Sequence, residues 1–152
     1  MQIEKSCVLP VPVQAAWDCL ADADLVGACV PGVEKVERVD DTHFVVTVTV
    51  KVGVIKPTFR LNVTLVEQTP PAYLRSTCTG EANGMMGSLR QTTQIRLSSV
   101  EGKTRVDVNA EVDVFGRLGT FGYGVLKGKA DQLWEQFVAN LSAAAKARTA
   151  NA

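Results

Sequence analysis

Thr104-Arg105-Val106-Asp107-Val108-Asn109-Ala110-Glu111-Val112-Asp113-Val114 alternates apolar and polar side chains without a break. Successive side chains of a strand point to opposite faces, so this stretch reads as a strand with a dry face and a wet face. That combination belongs to an antiparallel sheet, because parallel sheets are covered on both sides. Directly after it the period changes. From about Leu118 to Ala147, Leu126, Ala130, Leu133, Phe137, Leu141 and Ala144 recur every three or four residues. Trp134 and Val138 widen the stripe, while Lys127, Asp131, Glu135 and Gln136 lie away from it. This is the pattern of one long amphipathic helix laid on the dry face of the sheet. Trp134 and Phe137 are expected to anchor it as core residues.

Upstream, the period of two repeats. Phe44, Val46, Val48, Val50 and Val52 share one face, and Phe59, Leu61, Val63 and Leu65 another. Residues 73–79 and 88–98 supply two more strands, and 2–9 and 33–39 complete the set. Arg90 and Arg96 are placed to face the carboxylates from Asp107 to Asp113 as cross-strand pairs on the wet side. Pro10 and Pro12 end the first strand, since proline cannot continue a ladder. Val13 to Ala21 and Asp24 to Cys29 then read as two short helices, closed by a turn at Pro31-Gly32. The expected fold is α+β: a curved antiparallel sheet of six to seven strands wrapped around a long C-terminal helix.

Composition narrows the function. The 152 residues make one domain, expected over 1–148 with 149–152 frayed. Sixteen basic and sixteen acidic side chains balance, which argues against a nucleic-acid binder. No apolar run approaches the ~18 residues of a membrane span, and the start lacks a signal-peptide core, so a cytoplasmic location is expected. Cys7, Cys19, Cys29 and Cys78 are widely and unequally spaced, and His43 is the single histidine. Such spacing offers no metal-ligand pair, and the thiols are expected to be free. His43 beside Asp40-Asp41-Thr42 reads as a turn-flanking surface residue. No catalytic residue, metal or cofactor is assigned.

Two stretches are harder to explain by packing. Gly116, Gly119, Gly122, Gly124 and Gly128 crowd the start of the helix, where each interior glycine costs ~1 kcal/mol against alanine. They either allow close helix–sheet packing or leave space for a ligand. The second is Gly80-Glu81-Ala82-Asn83-Gly84-Met85-Met86-Gly87, read as a loop. Its adaptable methionines suit either a mobile apolar lip over a cavity or a hairpin tucked into the core.

Four motifs carry a resemblance that spans nearly the whole chain. They are Val11-Pro12-Val13-Gln14-Ala15-Ala16-Trp17, Leu25-Val26-Gly27-Ala28-Cys29-Val30-Pro31-Gly32-Val33-Glu34, Val50-Lys51-Val52-Gly53-Val54-Ile55-Lys56-Pro57-Thr58-Phe59 and Phe115-Gly116-Arg117-Leu118-Gly119-Thr120-Phe121-Gly122. The chain resembles the CoxG family, the G subunits of carbon monoxide dehydrogenase, within the START-like (SRPBCC, helix-grip) superfamily of hydrophobic-ligand proteins. The resemblance implies a non-enzymatic accessory protein that binds a quinone or lipid-like molecule between sheet and helix. It also implies service to a molybdenum hydroxylase of the carbon monoxide dehydrogenase type, with recruitment to the inner face of the cytoplasmic membrane by peripheral contact. The ligand is expected against Phe44, Val46, Phe59, Leu61 and Val108 of the sheet and Leu118, Phe121, Gly122 and Val125 at the helix start. Met85 and Met86 are expected at the entrance. Two alternatives stand beside this reading. A START-like cyclase or hydratase would need convergent polar groups on the inner face, where Gln91 and Thr93 are the candidates. An assembly factor would fill the grip with its own side chains.

Overall fold

The first strand, β1 (Gln2–Leu9), ends where Pro10 and Pro12 break the ladder, and the chain turns into α1 (Val13–Leu20) and α2 (Ala23–Cys29). The Asp22 carboxylate caps α2 by accepting from the Leu25 amide at 3.2 Å. Six strands follow: β2 (Val33–Arg38), β3 (His43–Thr49), β4 (Thr58–Thr69), β5 (Tyr73–Ala82), β6 (Gly87–Val100) and β7 (Lys103–Phe115). A 3-10 turn over Gly116–Phe121 leads into α3 (Gly122–Ala150). The computed structural model describes residues 1–150, apart from the side chain of Met85. Of the expected frayed end, Thr149 and Ala150 are helical, and Asn151 and Ala152 lie outside the described residues.

All seven strands form one antiparallel sheet in the order β1-β7-β6-β5-β4-β3-β2. The first two strands therefore lie at opposite edges, and α1 and α2 cross between them. The pairing fixes the register. Phe44, Val46 and Val48 stand opposite Val63, Leu61 and Phe59, and Val106 and Val108 stand opposite Leu97 and Ile95. These share the inner face, as alternation requires. On the outer face Arg90 lies opposite Asp113, and Arg96 opposite Asp107. The Arg90 guanidinium is 3.8 Å from Asp113. That of Arg96 instead lies over the Tyr73 ring, 4.6 Å from its centroid, while Asp107 pairs with Arg105.

The strands outrun their expected ends. Gly80, Glu81 and Ala82 belong to β5 rather than to a loop, and only a 3-10 turn at Asn83–Met85 separates β5 from β6. Gly80 explains the extension. A Cβ there would sit 2.4 Å from Leu61 Cδ2, so the absent side chain is what lets Leu61 press onto the neighbouring strand. The helical stripe also begins later than expected, because residues 116–121 form the 3-10 turn.

Two cores hold the layers together. The first packs Leu9, Val11, Ala16, Trp17, Cys19 and Cys29 with Leu74, Leu97 and Val106 of the sheet and Leu141 and Ala145 of α3. Thr104, fully buried, satisfies its hydroxyl by donating to the Val11 carbonyl at 2.8 Å. The second core packs Val48, Phe59, Ala82 and Leu118 at the opposite end of the sheet. Phe137 is half-buried against the first core, with the half-buried Trp134 ring 6.0 Å away. Leu141 is 1% exposed, so Leu141→Ala removes a filled volume where α3 meets both short helices. The expected loss is ~2–5 kcal/mol, measured as a lower urea midpoint with unchanged slope.

Candidate functional site: an unsealed inner face between two cores

Alternation puts apolar side chains on the inner face, and something must normally cover them. Here α3 covers one end. Its C-terminal half packs on α2, β1 and α1, with Asn140 donating to the Cys29 carbonyl at 3.0 Å and Arg148 3.2 Å from Asp22. The 3-10 turn covers the other end through Leu118, which is 2% exposed. Between them a row crosses the sheet from Phe44 through Val63, Cys78 and Gln91 to Val112. Every member of that row is half-buried, not buried. The facing stripe of α3, Leu126, Ala130, Leu133 and Trp134, is half-buried too. Two half-buried apolar surfaces, neither drawn into a packed core, are the lining that a groove between sheet and helix requires.

The end cap depends on glycine meeting glycine. Gly87 has φ +137° and Gly116 φ +75°, and a Cβ on Gly116 would lie 2.8 Å from the Gly87 Cα. That approach lets the Leu118 amide donate to the Met86 carbonyl at 3.1 Å, which ties the 3-10 turn to the β5–β6 connection. The glycines of the helix start thus divide. Gly116 serves close packing, whereas Gly122, Gly124 and Gly128 would meet nothing within 4 Å.

The expected ligand contacts divide in the same way. Phe44, Val46, Leu61 and Val108 are half-buried on the inner face. Phe59 and Leu118 are instead fully packed in the second core, Phe59 between Val48 and Ala82 of the neighbouring strands and Leu118 entering from the 3-10 turn. Met86 packs at the rim of that core, and the Met85 side chain lies outside the described residues. Phe121 is half-buried against Gly53 in the β3–β4 connection. Gly122 and Val125 are exposed at the start of α3, and Gly122 has φ +82°. A side chain at Gly122 would strain the backbone rather than fill a space, so that position is a poor probe of the groove.

Gln91 and Thr93 lie on the inner face, and the Gln91 amide donates to the Thr93 hydroxyl at 2.8 Å. Ser76 and Cys78 are their cross-strand partners on β5. These two were not assigned from the sequence, because residues 75–79 are polar on both faces and give no alternation to read. Lys5 is an inner-face cation of β1, and it is bound by the Asp131 carboxylate of α3. The Lys5 hydrogen bond, with Lys127 nearby, holds the Asp131 carboxyl below its ordinary value. The tie is therefore complete at neutral pH and is lost only as pH falls through that lowered value. His43 is exposed and lies 2.8 Å from Asp40 in the β2–β3 turn, away from the groove. A hollow of about 510 Å³ on the outer face of β1, β6 and β7 is walled by Glu4, Arg96, Arg105 and Asp107. Of its charges, Arg105 and Asp107 pair with each other and Arg96 lies over the Tyr73 ring.

A family model for the G subunit of carbon monoxide dehydrogenase (CoxG) matches residues 7–146. The chain belongs to the CoxG family. No curated protein sequence matches it. Among solved structures, a conserved protein from Geobacillus kaustophilus superposes with TM-score 0.89 at 18% identity, over 96% of this chain and 95% of that one. The Zhui aromatase/cyclase from Streptomyces sp. R1128 gives 0.71 at 16%, over 98% and 95%. A START superfamily protein from Mycobacterium smegmatis gives 0.68 at 10%, over 95% and 97%. At these identities the likeness is one of fold: this CoxG-family chain has the fold seen in the START superfamily protein.

All four cysteines are free thiols. Burial pushes the Cys78 thiol up to about 11, and Cys7, Cys19 and Cys29 are raised as well, chiefly by burial. The thiolate is the reactive form. Native protein at pH 7.5 is therefore expected to resist iodoacetamide at Cys78, whereas protein in 8 M urea (roughly the concentration needed to unfold a small domain) takes up four labels by intact mass.

Proposed function

We propose that this protein is a non-enzymatic accessory protein that holds a hydrophobic, quinone-like molecule in the groove between sheet and α3. In this reading it serves a molybdenum hydroxylase of the carbon monoxide dehydrogenase type. The observation that carries the reading is the half-buried row from Phe44 to Val112, apolar at both ends and uncovered between two packed cores. A grip filled by its own side chains would bury that row. Membership of a family named for a component of a dehydrogenase supports the partner. The inner face argues for binding over catalysis. An amide, two hydroxyls and a thiol with a pKa of about 11 provide no group that exchanges a proton near neutrality.

Peripheral membrane contact belongs to the same reading. Among the described residues no helix is long and apolar enough to cross a membrane. The end of the molecule near the 3-10 turn exposes Val54 (98%), Tyr123 (57%) and Val125 (47%). Lys51, Lys56 and Arg117 stand beside them, all exposed. Apolar tips ringed by cations suit an anionic lipid surface.

Titration with a short-chain menaquinone analogue tests the ligand, read by quenching of the half-buried Trp134. Saturable quenching is expected, and Val63→Trp should weaken it at least ~10-fold by filling the central row. Overpacking costs ~1–3 kcal/mol, so melting is followed beside affinity. No quenching of the wild type would leave the assembly-factor reading in its place. In flotation with phosphatidylglycerol vesicles the wild type is expected to float, and Val54→Asp to remain at the bottom.

A further inference from the structure

The centre of the inner face carries a block of four polar side chains. Ser76 and Cys78 on β5 stand opposite Thr93 and Gln91 on β6, and the neighbouring positions in the same two rows are Val63 and Leu65 on β4 and Val112 and Ala110 on β7. A polar group on a desolvated apolar surface is costly unless it is paired. Only part of this block is paired within the protein. Gln91 spends one amide hydrogen on the Thr93 oxygen, and among the described residues Ser76 has no hydrogen-bond partner. The second Gln91 amide hydrogen, the Gln91 carbonyl oxygen and the Thr93 hydroxyl hydrogen stay available. Because Thr93 accepts from Gln91, its own hydrogen must point elsewhere. All four side chains are half-buried, so these groups open on the groove.

We infer that this block is the subsite that recognises an uncharged oxygen, a carbonyl or hydroxyl, on the otherwise apolar ligand. The inference rests on the reading of the groove as a ligand site and adds the chemistry of the head group. Charge supports an uncharged oxygen over a carboxylate. Lys5, the inner-face cation of β1, is engaged by Asp131 and stands in the row of Val108 and Ile95, outside the two rows of the block, so a fatty-acid head group finds no unpaired cation within the block. The Gln91 amide and the Thr93 hydroxyl converge from one strand and can donate to a single carbonyl. The flanking valines meet the ring or chain that carries it.

The test compares three probes: a short-chain menaquinone analogue, decanoate, and the neutral apolar dye N-phenyl-1-naphthylamine. Gln91→Leu and Thr93→Val keep the side-chain volume and remove the donors. Each is expected to weaken the quinone analogue by about tenfold, as loss of a buried hydrogen bond implies, while the dye binds as well or better. Thr93→Ser, which retains the hydroxyl, should keep quinone affinity. Decanoate should bind the wild type more weakly than the quinone. Should either apolar variant fail to fold, Ser76→Ala is a smaller change in the same block and carries the same expectation. Unchanged quinone affinity in folded variants that still bind the dye would overturn the subsite and leave the groove reading intact. Equal loss of quinone and dye would also overturn it, as would tighter binding of decanoate. Failure of the wild type to bind any probe would remove the groove reading and the subsite together.

Discussion

The structure depends on where α3 is fastened. Its last turns are locked into the first core by Leu141 and Ala145, and secured by Asn140 on the Cys29 carbonyl and Arg148 on Asp22. Its first turns have no comparable grip, and Tyr123 and Val125 project into solvent. A helix fastened along its whole length would have squeezed the inner face dry and gained the burial energy of every side chain there. Fastening it at one end forgoes that gain over the middle rows. The Lys5–Asp131 contact adds a charged tie between α3 and β1 beside the apolar packing of the first core.

The opposite end is closed by different means. There the chain brings the β5–β6 connection and the 3-10 turn together backbone to backbone at Gly87 and Gly116, and Leu118 drops into the second core as a plug. One end of the groove is thus bounded by a helix bundle and the other by a turn with one inserted side chain. The floor between them is a sheet whose outer face is stabilised independently by its own charges, Arg90 with Asp113 and Arg105 with Asp107.

Much of this was legible in the sequence because alternation is a geometric necessity. Val106 to Val114 and Phe59 to Leu65 could share a face only in a strand, and the pairing of Phe44 with Val63 and Val46 with Leu61 follows from that. The long helix was legible from its stripe. What escaped was information that single positions do not carry. Gly80 looked like a loop residue, yet it is a strand residue whose missing side chain makes room for Leu61. Phe59 and Leu118 looked like lining, and their burial comes from each other, across residues far apart in sequence. Ser76 and Cys78 had no readable face, since their strand is polar on both sides. Their position became visible only through Thr93 and Gln91 across the ladder.

The strand order has a consequence for the width of the groove. β1 and β2 are neighbours in the chain but occupy opposite edges of a seven-stranded sheet, so residues 10–32 act as a strap drawn across the inner side from rim to rim. A sheet strapped at both rims resembles a strung bow. It cannot flatten unless the string lengthens, and here the string is two short helices whose rise per residue is fixed by their hydrogen bonds. The curvature of the floor, and with it the space available to any guest, is therefore set by the covalent length of a segment that does not itself line the central row.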